Sequence, residues 1–346
     1  MVKIGIIGCG KIAQVRHIPE YLQNERAQIV GFYDRSEQRA QEMVKKYGSK
    51  IYHSYEELLE DPEIDGVSVC VANHLHAQVT IDALKQGKHV LCEKPMATTM
   101  EDAKKMVAEA QKAGKKLLVG HNQLLTPAHK RAKALIEEGL IGEILSFRTT
   151  FGHGGPESWS IDPGPNTWFF KKDAAAMGAI GDLGVHKIYL IQHLIGQKIT
   201  EVTAKLVTLD KQDASGQPIA LDDNALCIYE MERGVVGTMT ASWTYYGAED
   251  NSTILYGTKG IMRIYDHPEY SLEVILKAGE KVYYDLESIQ TNEQQTKSGV
   301  IDEFIESILE DRETVLSGEK ALATMGVVFA SMESSRTGKT VTVKNE

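Results

Sequence analysis

Short apolar runs recur through the first third of the chain, with helix-like spacing between them. The runs are "KIGIIG" at 3–8, "QIVGFYD" at 28–34, "GVSVCV" at 66–71, "HVLCE" at 89–93 and "KLLVG" at 116–120. Several are apolar on both faces, as strands of a sheet covered on both sides must be. The intervening patterns predict helices over 12–23, 37–46, 76–86 and 100–113. Strand and helix alternating through short connections make a doubly wound parallel sheet. After residue 122 the period changes. A helix at 127–138 precedes "EILSFRTTF" at 143–151, which alternates between two faces. A Gly/Pro-rich passage follows at 152–170, then a helical pattern at 182–194. Strand patterns then come in succession at 201–209, 224–231, 235–246, 252–258, 260–266 and 271–277. The turns "MERG" and "GTKG" between them suit hairpins. Helices are expected at 299–310 and 318–335, and a last strand at 339–343. The expected architecture is a Rossmann-like α/β domain over residues 1–122 and an α+β domain on a mostly antiparallel open sheet over 123–346.

Composition narrows the partners. The 346 residues carry a formal net charge of -10, with 25% charged and 42% hydrophobic residues. Nucleic acid and anionic membranes need a basic face, so neither is expected as a main partner. No stretch approaches the ~18 apolar residues of a membrane span. The four cysteines, Cys9, Cys70, Cys92 and Cys227, form no CxxC pair, and three sit in apolar runs. That usage fits a reducing compartment. The opening "MVKIGIIGCGKIA" reads as strand and turn without the apolar stretch of a signal peptide, so the cytoplasm is expected.

The first strand runs into Gly8-Cys9-Gly10-Lys11-Ile12-Ala13, a G-x-G-x-x-A loop. Gly8 permits the tight turn, Gly10 lets the backbone approach a pyrophosphate, and Ala13 lets the helix pack close to the strand. Lys11 and Ile12 open the helix whose N-terminal amides face that anion. Asp34 ends the second strand, 24 residues past Gly10. A carboxylate there accepts from the ribose hydroxyls of NAD and repels a 2′-phosphate. The adjacent Arg35 leaves NADP possible. Asp34 as a simple turn cap, and an S-adenosylmethionine site on the same loop, both remain open at this point. Glu93, Lys94 and Pro95 follow the fourth long strand run. Ligands of open α/β sheets bind at the carboxyl ends of the strands, which puts Lys94 at the crevice. Glu93 is placed to pair with it or orient its neighbours, and a cis Lys94–Pro95 bond is a working hypothesis. An ordinary loop lysine fits this stretch equally well. In "MGAIGDLGVH", Asp182 and His186 stand four apart, on one helical face. Imidazole exchanges protons near neutral pH, but an N-cap aspartate and a satisfied buried histidine explain the same spacing.

Taken together, "GCGKIA" at Gly8, "ANHLHAQ" at Ala72, "HVLCEKPMA" at His89, "GAIGDLGVH" at Gly178 and "YGTKGIMRI" at Tyr256 resemble the glucose–fructose oxidoreductase / inositol dehydrogenase / MocA (Gfo/Idh/MocA) family over nearly the whole chain. The resemblance implies an NAD(P)-dependent dehydrogenase. It moves hydride between nicotinamide and one hydroxyl of a sugar, inositol or related polyol. Lys94, Asp182 and His186 are the implied catalytic set, and Asn73, His76 and Glu93 are implied to lie near the cofactor. The resemblance also implies a homodimer or homotetramer formed through the C-terminal sheet. The chain departs from the family at Leu124, where an arginine is usual, and at Tyr189, where an aspartate is common. Both touch the expected substrate pocket. Trp159 and Trp168 are placed either to stack on a sugar ring or simply to pack, and His121 and His153 either line the pocket or do not. His74 and His76 form H-x-H without a third ligand at matching spacing, so no metal is expected. Tyr245 and Tyr246 are read as sheet or interface residues. Two other activities share this two-domain plan: a non-catalytic NAD(P)-binding regulator and an NAD-assisted glycosidase.

Overall fold

The structure is a computed structural model that describes residues 1–287 and 297–344. The chain divides into two compact units. The first is built on six strands: β1 (Val2–Ile7), β2 (Ala27–Tyr33), β3 (Lys50–Ile51), β4 (Gly66–Val69), β5 (His89–Cys92) and β6 (Leu117–Val119). They lie in the order β3-β2-β1-β4-β5-β6, parallel throughout. The sheet is apolar because helices cover both faces: Ile4, Ile6, Val67, Val90, Leu91 and Val119 have no solvent exposure. The strand order reverses between β1 and β4, so loops diverge there and leave a crevice at the carboxyl ends. Asp34, the Gly8 loop, residues 70–73 and Glu93–Lys94 all follow strands at that edge.

One helix of this unit, Tyr55–Glu60, escaped the periodicity analysis because six residues are too few to show a period. Its signal was a capping box. Ser54 Oγ accepts from the Glu57 amide at 3.0 Å, and the Glu57 carboxylate accepts from the His53 amide at 2.7 Å.

The second unit holds a nine-stranded sheet. Its strands are β7 (Ile144–Gly152), β8 (Ile199–Val207), β9 (Asn224–Met231), β10 (Val236–Ser242), β11 (Thr253–Gly257), β12 (Gly260–Ile264), β13 (Leu272–Leu276), β14 (Lys281–Tyr284) and β15 (Val341–Thr342). The order is β14-β13-β12-β11-β7-β10-β9-β8-β15, and every pair is antiparallel except β7 with β10. Alternation explains the two faces. Cys227, Tyr229, Met231, Met239 and Ala241 turn inward and are buried, while Leu226, Ile228 and Val236 are 50%, 57% and 46% exposed. The fold class is therefore the expected one: a parallel Rossmann sheet and a mostly antiparallel open sheet.

The division between the units differs from a single boundary after residue 122. Residues 173–175 and 297–322 group with the first unit, although the sequence pattern assigned them to the second. The reason is packing on the parallel sheet. Phe304, on the helix Val300–Leu309, closes against Gly66 of β4, where an added Cβ would stand 3.3 Å from its ring. The Val119 amide donates to the Leu316 carbonyl at 2.9 Å, which covers the outer edge of β6. Glu20 accepts from the Ser298 amide at 2.8 Å.

Candidate active site

In the first unit the glycine loop is held by its acid. Asp34 accepts from the Cys9 amide at 2.7 Å with one oxygen and from the Ser36 amide at 2.7 Å with the other. Arg39 stands 3.8 Å from it, while Arg35 is exposed. Gly8 has φ +93°, and a Cβ there would meet the Cys70 carbonyl oxygen at 2.6 Å. Over Gly10 the space is open: the nearest atom to an added Cβ is 4.0 Å away. Ala13 is fully buried against the sheet. Open backbone at Gly10, the turn at Gly8 and a carboxylate ending β2 fit a dinucleotide.

The helix that follows begins with a wide, π-type turn over Ala13–His17. Arg16 and His17 lie in that turn and are buried. His17 Nε2 is 2.9 Å from Glu93 Oε1, and Nδ1 is 3.0 Å from Ser68 Oγ, which is 2.8 Å from the Tyr21 hydroxyl. The His17 ring closes this chain between Glu93 and Ser68. Arg16 adds an ion pair to Glu93 at 3.8 Å. Burial by itself would raise the Glu93 carboxyl. The His17 hydrogen bond and the charges of His17, Arg16 and Lys94 outweigh it and bring the group down to about 2. Gly120, after β6, makes room for this carboxylate, since a Cβ there would lie 2.9 Å from Glu93 Oε1. Glu93 therefore points into the sheet end, and its second oxygen accepts from the Lys94 amide at 3.2 Å. The Lys94–Pro95 peptide is cis, in line with the sequence hypothesis, and Lys94 is half-buried.

Asn73 and His76 are both held by backbone carbonyls. The Asn73 amide donates to the Ala175 carbonyl at 2.9 Å, and His74 donates to Ala174 at 3.1 Å. The His76 ring is buried, its nitrogens 2.7 Å from the Pro95 carbonyl and 3.0 Å from the Val71 carbonyl. Burial pushes its imidazole below the ordinary range. His76 thus ties the loop after β4 to the loop after Lys94. His121, also buried, is pushed down to about 3 by burial.

In the second unit, Asp182 lies in another π-type segment, Ile180–Gly184, which runs directly into the helix Val185–Ile195 carrying His186. The start of this segment is held by Asp222, whose carboxylate accepts from Gly178 at 3.0 Å and Ile180 at 2.8 Å. Gly178 is obligatory there, as a Cβ would fall 1.8 Å from the Asp222 carbonyl oxygen. Asp182 and His186 are 6% and 5% exposed. The Trp243 indole donates to Asp182 Oδ2 at 3.0 Å. The sequence reading placed Trp243 within the strand pattern 235–246 and gave it no role in the site; the strand in fact ends at Ser242, just before it. From His186 a row of rings runs outward. Phe151 lies 5.9 Å from His186 and 5.9 Å from His153 between centroids; His153 is 6.1 Å from Trp159, and Trp159 is 5.1 Å from Phe169. Trp168 stacks on Phe169 at 4.0 Å. Leu124 and Tyr189, at the two positions where the chain departs from the family, are both buried. Among the described residues no helix is long and apolar enough to cross a membrane, and no three His, Cys, Asp or Glu side chains group to hold a metal.

A glycine-loop Rossmann sheet joined to an open-sheet unit with a buried acid and histidine defines a nicotinamide-dependent oxidoreductase class. The profile described as "Oxidoreductase family, NAD-binding Rossmann fold" matches residues 2–121, and the GFO/IDH/MocA C-terminal domain matches residues 129–263. The chain belongs to the Gfo/Idh/MocA family and is an NAD-binding oxidoreductase. Levoglucosan dehydrogenase of Pseudarthrobacter phenanthrenivorans is 34% identical over 241 residues, 64% of this chain and 60% of that protein. Myo-inositol 2-dehydrogenase of Thermotoga maritima is 26% identical over 341 residues, 96% of each chain. A solved levoglucosan dehydrogenase in complex with NADH and levoglucosan superposes with a TM-score of 0.85 at 26% identity, covering 100% of both chains.

Proposed function

We propose that the protein oxidises, and in reverse forms, one secondary hydroxyl of a sugar, cyclitol or related polyol. The observation that carries this reading is the buried Asp182 and His186 set, with Trp243 orienting the acid and an aromatic row leading away from the histidine. Aromatic faces suit the C–H face of a sugar ring, and a buried acid suits its hydroxyls. The relatives named above, a levoglucosan and an inositol dehydrogenase, support the substrate class.

The residues take these roles. Gly8, Gly10, Lys11 and Ile12 hold the pyrophosphate, Ala13 of the same cofactor loop lets the helix pack close enough to the strand to present them, and Asp34 holds the adenosine ribose. When bound, NAD supplies the hydride acceptor, or the donor in reverse. His186 accepts the hydroxyl proton. Lys94 donates a hydrogen bond to the same oxygen and stabilises its developing negative charge. Asp182 holds a neighbouring hydroxyl or the His186 ring. Asn73, His76 and Glu93 keep the loops around Lys94 in place. The same reading includes a cytoplasmic location, supported by four buried, free thiols. It also includes a homo-oligomer formed through the exposed face of the nine-stranded sheet, supported by Leu226, Ile228 and Val236.

The test is absorbance at 340 nm with NAD and with NADP over a panel of sugars, inositols and sugar acids. Turnover of one compound with NAD is the expected result and names the substrate. Silence across the panel with NAD still binding in calorimetry overturns the dehydrogenase reading in favour of a regulator or a cofactor-recycling glycosidase.

A further inference from the structure

Lys187 follows His186 directly and has no solvent exposure at all. Its Nζ donates to the Asn251 carbonyl at 2.8 Å and stands 5.8 Å from the centroid of the Phe151 ring. The His186 imidazole lies 5.9 Å from the same ring, inclined at 59°. One aromatic ring therefore neighbours both groups. The acceptor carbonyl is itself held rigidly. The Asn251 side chain accepts from Gln123 at 3.2 Å and donates to Glu249 at 3.2 Å. The flanking backbone is bonded to the end of β7, with the Asp250 amide on the Gly152 carbonyl at 3.0 Å and the Thr150 amide on the Ser252 carbonyl at 2.9 Å.

We propose that Lys187 is a positioning residue for His186: its buried cationic side chain pins the His186 helix to residues 249–252 beside Phe151 and favours the neutral, proton-accepting imidazole. This rests on His186 being the proton acceptor of the reading above. The charged and titratable groups around Lys187 come from several elements. Glu249 and Asp250 precede β11, and their charges oppose the burial that brings Lys187 down to about 7. His129, on the helix Pro127–Glu137, is pushed down to about 3, by burial first and by the Lys187 charge next, with His193 adding to it. His186 itself is the neighbour on the same helix. The ammonium charge is thus present over the acidic half of the range in which an imidazole protonates. A nearby cation disfavours imidazolium, which is the direction a general base requires.

The experiment is a histidine NMR titration of the full chain with labelled imidazoles, His186 being assigned with H186Q. The unmodified protein is expected to show a second inflection in the His186 curve at the pH where Lys187 titrates. In K187M the His186 midpoint is expected to rise by about half to one pH unit, the scale of one charge acting through a partly buried medium. In K187R, which keeps the charge, it should stay close to the unmodified value. A K187M midpoint that coincides with the unmodified one, in a protein whose circular dichroism is unchanged, overturns the proposal. If K187M does not fold, a single-inflection His186 curve in the unmodified protein overturns it equally. Failure of the dehydrogenase reading is seen elsewhere: H186A with full turnover removes His186 as proton acceptor and leaves the coupling between the two side chains as measured.

Discussion

Two ionisable side chains in this protein carry opposite burdens. Glu93 is an almost fully buried carboxylate that stays ionised because His17 and Arg16 meet it. Lys187 is a buried ammonium with one backbone acceptor and two acids in its neighbourhood. Their pH signatures therefore differ. The Glu93 carboxyl is lowered from 4.5 to about 2, so its stabilisation is present above pH 4.5 and is lost as pH falls towards 2. Lys187 is lowered from 10.5 to about 7. Between those values the unfolded chain holds a proton that the folded chain has released, so stability from this group rises with pH across that window. Below pH 7 the full penalty of burying the charge is present. Lys187→Met is accordingly expected to raise Tm relative to the parent by more at pH 6 than at pH 10. The bond to Asn251 is lost at both pH values and is the stronger one when its donor is an ammonium, but burial of the charge is the largest effect on Lys187 and sets the sign. Calorimetric melts at the two pH values check this, and an equal difference at both would refute it. Asp34 sets cofactor choice at the same scale. Asp34→Ser removes the acceptor for the ribose hydroxyls and also frees the Cys9 and Ser36 amides. NAD affinity should fall about tenfold or more, with the NADP:NAD preference rising; calorimetry with both cofactors measures it, and an unchanged ratio would end the role given to Asp34.

At the scale of elements, the site sits on irregular helix starts. The wide turns at Ala13–His17 and Ile180–Gly184 carry His17 and Asp182. Regular 3.6-residue spacing placed Asp182 and His186 on one face, but the irregular segment is what the structure holds in place through Asp222 and Trp243. Trp243→Phe removes one hydrogen bond to a carboxylate, an interaction of roughly 1.5–3 kcal/mol. It should cost about tenfold or more in kcat/KM on the substrate found in the panel, with NAD affinity unchanged; loss of NAD binding to the same degree would mark Trp243 as a global packing residue. Much of this was legible beforehand. The long apolar runs, the glycine loop, Asp34 at its strand end and the hairpin turns all express local spacing, which a sequence displays. The Ser68–His17–Glu93 chain, the grip of His76 on the Pro95 carbonyl, and Trp243 on Asp182 join residues 19 to 76 apart. No period in the sequence encodes such pairs. Lys187 was invisible for a related reason, because a lysine one place after a histidine reads as polar until its burial is known.

At the scale of the whole molecule, the nine-stranded sheet keeps one face under helices and leaves the other with Leu226, Ile228 and Val236 exposed. Ile228→Glu places a charge on that face, next to Leu226 of the same strand. If copies associate there, light scattering should show the variant with a smaller mass than the parent, while the family's NAD binding persists; equal masses would exclude this face as the contact. The parallel sheet has a different dependence. Its β4 is closed by Phe304 and its β6 edge by Leu316, both from near the end of the chain. During synthesis the ribosome therefore releases all six parallel strands long before it releases their last cover. The first unit to emerge is thus among the last to be finished: its own helices arrive with the strands, but until residues 300–316 follow, β4 lacks Phe304 against Gly66 and the edge of β6 lacks its bond to Leu316.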